Sequence, residues 1–155
     1  MLKLILTPEV AEEITIALRK SGDCEIGGIL MGAHIGENEF KVTKITVQKR
    51  GGIARFIRIV EDAIGKLSAF FAENNHEYSS FNYIGEWHSH PLFSPYPSSK
   101  DDFSMFEIAT DVTVGANFVV LLIVKLNVNN ELIGTAHTYL PDNRKLLSKL
   151  ILPLE

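Results

Sequence analysis

The feature that most limits the fold is Phe118–Val124, seven successive apolar residues rich in β-branched types and free of charge. A helix that crosses a bilayer needs about 20 such residues, so this run is far too short to span one. It reads instead as a buried strand, and the rest of the chain must supply the sheet around it and the layers that cover it.

The flanking patterns supply both. Thr7-Pro8-Glu9 has the form of an N-cap, a first-turn proline and an early acid, and Val10, Ile14, Ile16 and Leu18 follow at roughly helical spacing as far as Lys20. Cys24–Met31 is apolar and interrupted by Gly27 and Gly28, and Phe40–Val47 alternates, which gives two strands joined as a hairpin through Gly32–Glu39. Ile59, Ala63, Leu67, Phe70 and Phe71 recur at three- and four-residue steps and predict an amphipathic helix over 58–74. Phe81–Ser89 returns to strand, and Pro91–Pro97 must be a loop. Ser98-Ser99-Lys100-Asp101 starts a helix that runs to about Thr110. Strands near Asn117–Val124 and Leu132–Tyr139, turned at Asn127–Asn130, close the sheet, and Asn143–Leu150 is expected to be a terminal helix. That order predicts an α/β fold, a mixed sheet flanked by helices. With 155 residues and no Pro/Ser/Gly-rich linker or repeat, residues 1–155 are read as one domain.

Composition excludes several functions. A net charge of −4 gives no excess of Lys and Arg, which argues against general nucleic-acid binding. The N-terminal apolar run Leu2–Leu6 is too short for a signal-peptide core, and no segment predicts membrane insertion. The single Cys24 cannot form an internal disulfide, which favours the cytoplasm, and it is expected to be a packed thiol rather than a nucleophile.

Chemistry concentrates in Gly85–Pro91. His88 and His90 are two apart, so on a strand both imidazoles face one side and can grip one metal ion. An isolated His-x-His is also compatible with two partly exposed strand histidines. Two nitrogens suit zinc, and a catalytic zinc commonly has three protein ligands and an open position. Asp101 is the best third candidate, because the proline-rich loop returns the chain and the first helical turn can present a carboxylate to the strand end. Zinc so held makes water nucleophilic near neutral pH and polarises a carbonyl, so an amide can be hydrolysed without a nucleophilic side chain. A carboxylate must then move the proton, and two compete: Glu86, on the strand face of the histidines, and Glu25, which opens an apolar strand where a charge is costly without a partner or a role. Ser98 or Ser99 serves as a helix cap.

Glu25, His88-Ser89-His90-Pro91, Ser98 and Asp101 together resemble the signature of JAMM metalloproteases of the MPN-domain family: a distant Glu, His-[Ser/Thr]-His, seven residues, Ser, two residues and Asp. The resemblance implies one catalytic Zn2+ on His88, His90 and Asp101, proton transfer by Glu25 and oxyanion stabilisation by Ser98. It implies a single MPN domain of cytidine-deaminase-like architecture. The implied activity is cleavage after the C-terminal glycine of a ubiquitin-like protein, in a conjugate or a precursor. Processing of a sulfur-carrier protein or a small amide, or a non-catalytic scaffold, are the alternatives. The short span from Asp101 to Asn117 is similar to compact prokaryotic members. Gly85–Pro91 and Arg55–Arg58 resemble bacterial members found beside ubiquitin-transfer-like genes in antiphage operons. Nucleobase deamination is disfavoured, since the His-x-Glu and Cys-x-x-Cys elements are absent.

Overall fold

A computed structural model describes residues 1–49, 81–111 and 117–154. The predicted helix over 58–74 and the Arg55–Arg58 segment lie outside the described residues. Two helices are described, α1 (Pro8–Ser21) and α2 (Ser99–Thr110), with eight strands: β1 (Lys3–Leu6), β2 (Ile26–Gly36), β3 (Glu39–Ile45), β4 (Gln48–Lys49), β5 (Phe81–Ser89), β6 (Val119–Leu126), β7 (Leu132–Tyr139) and β8 (Lys145–Ile151).

The sheet runs β3-β1-β8-β7-β6-β5-β2-β4, and β3 also pairs with β2, so seven strands close into a barrel-like ring. It is mixed: β1 is parallel to β3 and β8, and β5 is parallel to β6, while the remaining pairs are antiparallel. An α/β composition with a mixed sheet is therefore observed, and closure is the departure from a plain layered sheet. The C-terminal segment departs further. Lys145–Ile151 is a strand and not a helix, because both its edges are occupied, by β7 on one side and β1 on the other. That tertiary pairing overrides the helix-compatible spacing of Leu146, Leu147 and Leu150.

β6 is buried on both faces, as its unbroken apolar run requires. Val120, Leu122 and Val124 pack with Val10, Ile14 and Leu18 of α1, whereas Val119, Leu121 and Ile123 pack with Met105, Ile108 and Ala109 of α2. Each fully buried aliphatic side chain contributes about 1.5–3 kcal/mol relative to exposure. α1 starts as its sequence dictates, with Thr7 Oγ1 accepting from Val10 N at 3.2 Å and Pro8 at the first turn. Trp87 is fully buried on the α1 side and donates from Nε1 to Thr46 O at 2.8 Å. Cys24 is exposed rather than packed. Among the described residues no helix is long and apolar enough to cross a membrane.

Candidate metal centre

The alternation of β5 decides which side chains meet. Glu86 pairs in register with Leu121 and His88 with Ile123, so both lie on the face that β6 turns toward α2. His90 follows just past the strand, and its N–H still donates to Val124 O at 3.0 Å. Between the histidines, Ser89 is buried and its Oγ accepts from Ile26 N at 3.0 Å, fixing the end of β5 to the start of β2. Across that junction Gly27 stands opposite His88, and a Cβ there would meet Trp87 O at 2.5 Å and His88 Cβ at 3.0 Å. Glycine is thus required by close approach.

Asp101 comes from α2. Ser98 caps the helix, with Asp101 N donating to Ser98 Oγ at 3.1 Å and Ser98 N donating to Asp101 Oδ2 at 2.9 Å, a reciprocal capping box. The box aims Asp101 Oδ2 to within 3.3 Å of both His88 Nε2 and His90 Nε2, which are themselves 3.2 Å apart. All three side chains are buried.

These distances fit zinc. Zn–N and Zn–O bonds of about 2.0–2.1 Å in a tetrahedron give ligand-to-ligand edges of about 3.3 Å. The proton positions agree, because Ser94 O can only accept the 3.0 Å bond from His90 Nδ1, so Nδ1 carries the hydrogen and Nε2 presents a lone pair. Burial alone would raise the Asp101 carboxyl. The hydrogen bond and charge of His88, together with the bonds from Ser98, hold it well below the usual carboxylate range. It is therefore an anion, ready to ligate, at any physiological pH.

The family described as prokaryotic homologs of the JAB domain matches residues 7–138. The chain belongs to this family. A relative described as a CD-NTase/cGAS isopeptidase, from Enterobacter hormaechei subsp. hoffmannii (strain UCI 50), is 29% identical over 112 residues, covering 70% of this chain and 59% of the relative. Solution structures of a Desulfitobacterium hafniense protein (20% identity, TM-score 0.67, covering 98% of this chain and 94% of that one) and a Salinibacter ruber protein (19%, 0.55, 96% and 90%) share the fold.

In this JAB-family chain the remaining site residues are not equivalent. Glu25 is exposed, one residue ahead of β2 and two before Gly27; continuing the strand alternation puts it on the rim of the face that carries His88. Glu86 is fully buried beneath that face, near the Tyr83 hydroxyl, whose pKa is raised by burial and by the charge of Glu86. Ser98 is exposed, and because its oxygen accepts from Asp101 N, its hydroxyl proton is not used in the cap. His34 is exposed and His137 is buried against Thr135, while His76 lies outside the described residues. The Ser94 carbonyl and Ser89 escaped the sequence reading. A backbone carbonyl leaves no residue-type signal, although Ser89, placed between two candidate ligands, was open to that reading.

Proposed function

We propose that this chain is a zinc-dependent isopeptidase or peptidase that hydrolyses the amide bond after the C-terminal glycine of a ubiquitin-like protein, in a conjugate or a precursor. The observation that carries this is the buried triangle of Asp101 Oδ2, His88 Nε2 and His90 Nε2 at 3.2–3.3 Å. When bound there, zinc supplies a Lewis acid that polarises the scissile carbonyl and makes water nucleophilic near neutral pH. Glu25 takes the proton from the attacking water and delivers it to the leaving amine. Its exposure at the rim leaves it open to a substrate, whereas Glu86 is sealed in the core. Ser98, with its hydroxyl proton available, donates to the developing oxyanion.

The isopeptidase relative supports a conjugate as the substrate, and the resemblance of Gly85–Pro91 to members from antiphage operons supports a place in bacterial antiphage defence. Residues 1–155 act as one domain in this reading. The cytoplasm suits the exposed, unbridged Cys24.

The test combines metal analysis with cleavage of an isopeptide-linked ubiquitin-like conjugate. Wild type should hold about one zinc per chain. His88→Ala and Asp101→Ala should lose both metal and cleavage. Glu25→Gln should keep the metal and slow cleavage by about 100-fold or more. No zinc under replete conditions would overturn the reading, and full activity in Glu25→Gln with loss in Glu86→Gln would move the proton-transfer role inward.

A further inference from the structure

We infer that Lys125 and Thr135 are positioning residues for His90, acting through the backbone of the loop that follows it; the inference rests on the metal-binding role of His90. On its Nδ1 side His90 is oriented by the bond to Ser94 O, 3.0 Å long. Ser94 itself lies in an exposed, irregular segment between Pro91 and Pro97, where no strand ladder fixes the direction of a carbonyl. Ser94 O also accepts from Tyr96 N at 2.9 Å, but that bond lies within the loop and does not tie the acceptor to the sheet, so the imidazole would move with the loop.

The carbonyls on either side of Ser94 are held from the sheet. Phe93 O accepts from Lys125 Nζ at 2.8 Å, and Pro95 O accepts from Thr135 Oγ1. Three successive carbonyls are therefore each engaged by a different side chain, and the middle one orients the ligand. Both clamps stand on the closed sheet: Lys125 follows Val124, whose carbonyl already holds His90 N, and Thr135 pairs with Ile123, the neighbour of His88. The hydroxyl of Thr135 has one proton, and Pro95 O can only accept it. The 3.0 Å contact between Thr135 Oγ1 and His137 Nε2 must then be donated by the histidine, which fixes the direction of the Thr135 hydroxyl. The path runs from His137 through Thr135 and the loop carbonyls to the lone pair of His90 Nε2. Partners that orient a metal ligand in this way typically change metal affinity by about 10–100-fold when removed.

The experiment uses the purified full chain, with zinc affinity measured by chelator competition and the visible spectrum recorded on the cobalt-substituted protein. Thr135→Val should weaken zinc by about tenfold and shift the cobalt bands, and Thr135→Ser, which keeps the hydroxyl, should restore both. Lys125→Met, altering a side chain at the surface end of β6, should move the same two readouts in the same direction and serves if Thr135→Val folds poorly. A merely structural pin would lower thermal stability and leave the cobalt spectrum of the folded protein unchanged. Zinc affinity within twofold of wild type and an unchanged spectrum in Thr135→Val and Lys125→Met would overturn the inference while the metal centre stands. A wild-type chain that takes up neither metal would overturn both.

Discussion

At the residue scale, His137, buried and outside the His88–His90–Asp101 group, gives a pH signature of its own. Burial lowers the pKa of His137 from its ordinary 6.5, and Lys145 on β8 lowers it further, while Asp102 on α2 acts against them. A histidine whose folded pKa is depressed contributes stability that is present above about pH 6.5 and is lost as pH falls through the folded value, because the unfolded chain then binds the proton more readily. The metal-free wild type should lose melting temperature from pH 7.5 to 5.5, and His137→Gln, which can still donate to Thr135, should lose less. The difference should stay below the about 1.4 kcal/mol per pH unit that one titrating group can supply. Parallel melting curves for the two proteins across that range would show that His137 does not titrate on unfolding.

At the element scale, the glycines of β2 are demands of neighbouring backbone. A Cβ on Gly28 would lie 1.9 Å from Thr46 O, the carbonyl that accepts from Trp87 Nε1, while Thr46 Oγ1 accepts from Ile29 N at 2.9 Å. Gly28→Ala must therefore push Thr46 away and strand the buried indole N–H, at a cost of about 3 kcal/mol, the upper end for overpacking. A denaturant midpoint equal to wild type would refute this. The close approach was legible in the sequence, since Gly27 and Gly28 interrupt an otherwise continuous strand. The grouping of His88, His90 and Asp101 was legible for a related reason: a two-residue His spacing and a Ser-x-x-Asp helix start each imply local geometry, and the capping box that starts α2 also aims Asp101. β8 was not legible. Leu146, Leu147 and Leu150 satisfy a helical spacing, and only the free edges of β1 and β7, remote in sequence, make Lys145–Ile151 a strand. The same is true of β1, whose four residues gain their structure from β3 and β8.

At the scale of the whole molecule, β1 is the strand that closes the ring. It is parallel to both neighbours, Lys3 N takes Asn38 O at 2.7 Å, and Lys149 N donates to Leu2 O at 2.9 Å. Its inward residues Leu4 and Leu6 are almost fully buried in the α1 core. Removing residues 2–6 would withdraw those two side chains, about 1.5–3 kcal/mol each, and would leave the edges of β3 and β8 with unpaired N–H and C=O groups. Such edges pair with other copies. The shortened chain should therefore melt over a broader range and sediment as a self-associated species. The candidate metal centre stands on the end of β5 and the start of α2, and β5 lies across the ring order from β1. If the proposed centre binds zinc, whatever fraction stays folded should keep it, so ring closure and metal binding separate in one measurement. A shortened chain that remains monomeric and unfolds as sharply as wild type would mean that the ring does not depend on its closing strand.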